Sequence, residues 1–300
     1  MARTRFRGDS GLTLRMGGVS LGLGALYVAF GAVLLTTTNL GGFGIVIVLG
    51  IAWGQWYFSD SLALKSMGAK VVEPEQAPEL HAMIDRLCAL ADMPKPRVAV
   101  AVTDMPNAFA TGRSPKHSSV CVTTGIMQRL DADELEGVLA HELSHVANRD
   151  VTVMTVASSL GLLAGFITRW GMYAGNIFGS RNNKNSGAVF LVVFLVSMVV
   201  YFVSFILTRS LSRYRELSAD RSGAYLTGRP SKLSSALVKI SGDMARIPNR
   251  DLREGQAISA FFFAPAINRE SIGAMFATHP PLQQRLDQLA KVSAELSEQG

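Results

Sequence analysis

Two histidines four residues apart, His141 and His145, bracket a glutamate at position 142. On an α-helix four residues is just over one turn, so both imidazoles leave one face and two ring nitrogens can reach a single zinc ion at about 2.0–2.1 Å. Glu142 follows the first histidine directly, which sets its carboxylate beside the position such a site leaves open. There it can take a proton from a water whose pKa zinc lowers towards about 7, and later pass it to a leaving amine. The pattern His-Glu-x-x-His on a helix is the signature of metal-dependent peptide hydrolysis.

A hydrolytic zinc needs a third protein ligand and one free position. Spacing leaves three candidates: Glu216, Asp150 and His279. Glu216 lies in Arg215-Glu216-Leu217-Ser218-Ala219-Asp220, just after a long apolar run, and also reads as half of an ion pair with Arg213 or Arg215. Asp220, one turn later, can accept a hydrogen bond from a ligand histidine and hold its tautomer. Asp150 is five residues past His145, which points it off the ligand face of a continuing helix. It reads as a helix-end group or as a partner of a ligand.

The elements that carry these residues follow from composition and periodicity. Of the 300 residues, 48% are apolar and only 17% charged, which indicates a membrane protein. The net charge of +6 does not make a nucleic-acid surface, because the arginines flank apolar runs instead of sharing one soluble patch. Cys88 and Cys121 lack paired spacing and read as small buried residues in a reducing compartment.

Four hydrophobic segments are expected, at 16–35, 40–58, 151–167 and 188–207. Those near 20 residues suit about 30 Å of hydrocarbon. The third is shorter and richer in Ser and Gly. Residues 1–58 are thus a tail and two spans, 59–150 the first part of a catalytic domain, 151–207 a hydrophobic hairpin, and 208–300 the second part. A cleavable leader is disfavoured by the length of the first run and the prompt second run. Arg3, Arg5, Arg7 and Arg15 before the first span, and Arg209, Arg213 and Arg215 after the fourth, place both flanks in the cytoplasm. Arg169, Arg181 and Lys184 in the hairpin loop run against that pattern. Trp53, Trp56 and Tyr57 suit an interfacial belt. Residues 75–90 have helical spacing, 97–102 and 119–123 read as strands, and Asp131 with Glu134 forms a capping box for the helix of the two histidines.

With these segments in view, the chain resembles the HtpX-like membrane metalloproteases, relatives of the CAAX prenyl endopeptidases. His-Glu-Leu-Ser-His-Val-Ala-Asn-Arg-Asp (141–150), Asn-Ala-Phe-Ala-Thr-Gly (107–112), Arg-Glu-Leu-Ser-Ala-Asp (215–220) and Thr-His-Pro-Pro-Leu-Gln-Gln-Arg-Leu (278–286) carry the likeness, in the family's order. Ser144, Leu217 and Ser218 add nothing to it. The segment 241–270, with Phe261, Phe262 and Phe263, matches no family feature and reads as core packing. The resemblance implies a mainly α membrane protein with a small α+β, gluzincin-like catalytic domain and one Zn2+ per chain. It singles out Glu216 as third ligand. It further implies a multi-pass protein of the bacterial plasma membrane, with the catalytic domain facing the cytoplasm and a stress-linked role in protein quality control.

Substrates would be membrane or unfolded polypeptides, bound as extended chains along a sheet edge. Segments 107–111 and 118–123 are the candidate edges, with Asn107, Ala108 and Phe109 as substrate contacts. His279 can donate to an oxyanion. His81 and His117 read as solvent-facing. Two other readings fit the same residues: a processing protease dedicated to one lipidated or membrane substrate, and a membrane scaffold with a structural metal. Glu142 argues against the scaffold.

Overall fold

The structure, a computed structural model, describes residues 9–37, 46, 50, 53–54, 56–150, 186–244 and 280–298. Their elements are α1 (Ser10–Thr37), α2 (Ser59–Ser66), β1 (Lys70–Val71), α3 (Pro78–Ala91), β2 (Arg97–Ala101), β3 (Ala108–Ser114), β4 (His117–Thr123), α4 (Thr124–Arg129), α5 (Ala132–Ala147), α6 (Ser186–Thr227), α7 (Pro230–Met244) and α8 (Leu282–Ser297). Described residues within Met1–Thr13, Ser59–Val151 and Ser212–Gly300 form one compact unit, and those within Leu14–Phe58 and Thr152–Leu211 a second.

The first unit is built on a four-stranded sheet of order β1-β2-β4-β3, with β2 and β4 parallel and the other pairs antiparallel. Side chains alternate across it, as a pleated strand requires. Val98, Ala108, Val120 and Val122 face the main core with α3, α5, α7 and α8. Ala99, Ala101, Phe109 and Cys121 face Ala63 and Leu64 of α2. Both faces are covered, so β4 reads as a continuous run with no apolar–polar alternation. Gly112, at φ +134°, allows the irregular register near the β3–β4 turn, since a Cβ there would run into the His117 carbonyl.

α3 starts at Pro78, whose missing N–H costs nothing in a first turn. α4 is an element the sequence reading did not contain. It is capped by Thr123, whose Oγ1 accepts the Ile126 N–H at 3.2 Å. α5 has the anticipated capping box: Asp131 Oδ1 accepts from the Glu134 N–H at 2.8 Å, and Glu134 Oε2 from the Asp131 N–H at 2.9 Å. Glu134 also accepts from Ser235 Oγ (2.6 Å) and Lys239 Nζ (2.7 Å), tying α7 to the start of α5.

In the second unit, Leu23 and Phe30 of α1 pack with Val200 of α6, flanked by Val19, Leu26, Val196 and Leu207. α1 starts at Ser10, ahead of the apolar run, because Asp9 Oδ1 accepts the Leu12 N–H at 2.9 Å. Among the described residues two helices are long and apolar enough to cross a membrane, Ser10–Val33 and Leu191–Thr227, against the four segments expected. The 151–167 segment lies outside the described residues, and the 40–58 segment largely so. The helix that carries the 188–207 run does not end with it: α6 continues unbroken for 42 residues, about 60 Å, through the arginines to Thr227. Leu195, Val199 and Phe202 project from it half-exposed, as lipid-facing side chains would.

Candidate metal centre

His141 and His145 lie one turn apart on α5, and Glu216 and Asp220 one turn apart on α6. All four are buried. The helices approach closely because α6 carries Gly223 at the crossing. The Nε2 atoms of the histidines are 3.2 Å apart, and each is 3.5 Å from one carboxylate oxygen of Glu216. The opposite ring nitrogens are held by carboxylates: His141 Nδ1 donates to Asp220 Oδ1 and His145 Nδ1 to Asp150 Oδ2, each at 2.9 Å. A carboxylate can only accept here, so the Nδ1 atoms carry the protons and both Nε2 lone pairs point inward.

Two lone pairs and a carboxylate facing one another at these distances repel unless a cation lies between them. Ligands on a tetrahedral ion with bonds of 2.0–2.1 Å stand about 3.3 Å apart, close to the separations found. His141, His145 and Glu216 are the group of described residues whose donor atoms suit a metal ion, and the set fits zinc. Without an ion, a proton supplies the positive charge. Burial opposes the imidazolium of His141, but Asp220 and Glu216 outweigh it and raise the pKa to about 9.

Glu142 projects beside this cluster. Its Oε2 accepts the backbone N–H of Ala110 at 2.8 Å. Burial raises its pKa above the ordinary carboxylate value, and the two histidines pull the other way.

Asp150 is not among the three converging donors but is a partner of one, the second of the two roles its spacing left open. α5 ends at Ala147, and Arg149 takes a left-handed conformation, φ 57°, that turns Asp150 back against His145. Glu216 also meets the ion-pair reading, with Arg215 Nη2 3.1 Å from its Oε1. His279 lies outside the described residues, as does 245–270 of the unassigned segment. Asn107, Ala108 and Phe109 are all buried, and the Phe109 ring belongs to the cluster beneath α2. Segment 118–123 is not an edge: β4 is paired on both sides, and among the described strands β3 is the edge beside it. His81 is buried too, its Nε2 3.0 Å from the Val72 carbonyl, whereas His117 is exposed.

Arg285 and Gly223 are parts of this site that sequence reasoning missed. Arg285 had a legible signal. It falls on the apolar stripe of α8 with Leu282, Leu289 and Val292, where a charge demands a buried partner. Gly223 had none, since its role depends on where two distant helices cross.

The model of peptidase family M48 matches residues 74–293. The chain belongs to peptidase family M48. It is 55% identical over 297 residues to Protease HtpX homolog 1 of Streptomyces coelicolor, covering 99% of this chain and 97% of that protein. Protease HtpX homolog of Moorella thermoacetica is 52% identical over 297 residues, 99% of each chain. A Pyrococcus furiosus relative of the same name is 36% identical over 93% of each chain. The fold resembles the crystal structure of S. mikatae Ste24p, with a TM-score of 0.56 over 94% of this chain and 67% of that chain. At 18% identity this likeness bears on fold alone. As an M48 peptidase the chain is a metalloprotease, and its two long apolar helices fit a membrane protein.

Proposed function

We propose that this M48 peptidase is a zinc endopeptidase of the bacterial plasma membrane that cuts membrane or misfolded proteins at the cytoplasmic face, with His141, His145 and Glu216 as ligands and Glu142 as base. The observation that carries the reading is the convergence of two Nε2 atoms and the Glu216 carboxylate, with both Nδ1 atoms held by aspartates. When bound there, zinc supplies Lewis acidity that polarises a carbonyl and lowers the pKa of water.

The chain's own residues do the rest. Asp220 and Asp150 hold the ligand imidazoles in one tautomer. The Ala110 N–H engages Glu142 Oε2, which leaves Oε1 to take a proton from the attacking water and return it to the leaving amine. Burial raises the Glu142 pKa, which strengthens it as a base. β3 is the edge on which substrate lies. The Thr123 N–H donates to the Asn107 carbonyl at 2.9 Å, and the antiparallel alternation then turns the backbone groups of Ala108 and Ala110 away from β4, the Ala110 N–H towards Glu142. An extended peptide added there gains affinity that depends little on its sequence, as cleavage of varied misfolded chains requires.

Chain order supports a site near the membrane surface. Glu216 follows the 188–207 run by nine residues of one helix, and α5 leads into the 151–167 run. The arginine-rich flanks support the cytoplasmic orientation, with 1–58 and 151–207 as the membrane parts and 59–150 and 208–300 as the two halves of the catalytic domain. The likeness to HtpX-like proteases supports the quality-control role.

The test is Glu142→Gln in the purified full-length protein. Proteolysis of a panel of membrane proteins should vanish while one zinc per chain is retained. Cleavage that survives the change refutes the mechanism. Cuts spread over many substrates support quality control, and a single strong cut site supports a dedicated processing enzyme instead.

A further inference from the structure

Arg285 is 1% exposed, three residues after Leu282 and four before Leu289 on the face that α8 turns to the core. A guanidinium there needs a full partner. It has one in Asp220: Nε donates to Oδ2 at 2.7 Å and Nη2 to Oδ1 at 2.6 Å, a bidentate clamp. The same Oδ1 accepts from His141 Nδ1 at 2.9 Å. Arg285 Nη2 is 3.5 Å from that ring nitrogen, donor against donor, so the link to the imidazole runs through the carboxylate.

His145 has a counterpart on its side, where Arg215 Nε lies 3.8 Å from Asp150 Oδ2 and Arg215 Nη2 lies 3.1 Å from Glu216 Oε1. Glu142, Asp150, Glu216 and Asp220 bring four carboxylates, and Arg215 and Arg285 two guanidiniums. With neutral histidines this sums to two negative charges, the complement of one divalent cation. The two arginines differ in origin. Arg215 adjoins Glu216 in sequence, whereas Arg285 comes 65 positions after Asp220, on the C-terminal helix.

We propose that Arg285 is a positioning residue of the metal centre: by clamping Asp220 it fixes the tautomer and ring orientation of His141, and so makes seating of the C-terminal helix a condition of metal binding. The inference rests on the assignment of His141, His145 and Glu216 as ligands. An arginine suits this task because its planar fork holds both carboxylate oxygens, while a lysine offers one rotating point charge.

The experiment measures zinc affinity of the full-length protein in detergent by chelator competition, and the visible spectrum of the cobalt(II) form. Arg285→Lys keeps the charge and loses the fork. It should weaken zinc about tenfold and alter the cobalt spectrum, with the metal-free protein still folded. Arg285→Met should lose more, and Asp220→Asn added to it should cost nothing further, because both break one relay. Leu289→Ala, a packing change on the same helix, should lower thermal stability and leave zinc affinity at the wild-type value. The proposal is overturned if Arg285→Lys keeps wild-type affinity and spectrum, if the Arg285→Met and Asp220→Asn losses add in full, or if Leu289→Ala loses as much zinc as Arg285→Lys. Should Arg285→Met fail to fold, Arg285→Lys decides alone. A wild-type protein that binds no zinc would overturn the ligand assignment itself, a result separable from unchanged behaviour of the Arg285 variants.

Discussion

Gly223 of α6 sits against the backbone of His141 of α5: a Cβ at position 223 would lie 2.9 Å from the His141 amide nitrogen and 3.1 Å from its Cα. Backbone atoms inside a buried helix cannot swing aside as a side-chain tip can. Gly223→Ala must therefore push the two helices apart, and with them Glu216 from the histidines. Overpacking of this kind costs about 1–3 kcal/mol. We expect a lower melting temperature and weaker zinc binding together. Wild-type values for both would show that the crossing tolerates a methyl group.

Asp150 holds the Nδ1–H of His145 only because the chain reverses at Arg149. Asp150→Asn keeps the size and removes the charge that orients the ring. Zinc affinity should fall about 10–100-fold, with the secondary structure intact by circular dichroism. Retention of full affinity would make Asp150 a helix-end residue with no part in the site.

Metal binding should be coupled to pH through His141. With its pKa raised from 6.5 to about 9, the folded metal-free protein keeps a proton there that the unfolded chain has lost. The stabilisation is present in full below about pH 6.5 and fades as pH rises through about 9, the sign for a group whose folded pKa is raised. Urea midpoints of metal-free protein should fall across that window. Zinc needs the neutral imidazole, so calorimetry near pH 7.5 in buffers of different ionisation enthalpy should show close to one proton released per zinc from this residue. Zinc uptake with no proton release would contradict the assignment.

The two cysteines should be inert in the folded protein. Burial pushes the Cys88 thiol up to about 11, with nearby Asp85 adding to the shift, and burial pushes Cys121 up to about 12. Neither offers appreciable thiolate near neutral pH. A maleimide should label neither until denaturant is added, as mass spectrometry would show. Rapid labelling of the native protein would mean that the sheet and α3 open far more readily than their packing implies.

Much of this protein was legible because its chemistry and its local order share a short range. The spacing of His141 and His145 is a property of one helix, and the Asp131–Glu134 box that starts that helix is four residues long. The Arg97–Ala101 strand, the helix beginning near Pro78 and the apolar stretches can likewise be read in windows of under two dozen residues, because hydrophobic period and length act over that distance. Asp150 marks where such reading runs out. Spacing left it a helix-end group or a partner of a ligand, and one left-handed residue, Arg149, turns it to the second role against His145.

What lay beyond the chain order was everything that depends on two segments meeting. Interior β4 and edge β3 both carry buried side chains, and only strand order separates them. The Arg285–Asp220 clamp joins positions 65 residues apart, and Gly223 is significant only because α6 crosses α5 there. Helical phase and capping act through neighbours a few residues away. A buried charge finds its partner, and a glycine its close contact, through packing across the whole core, and packing carries no sequence period.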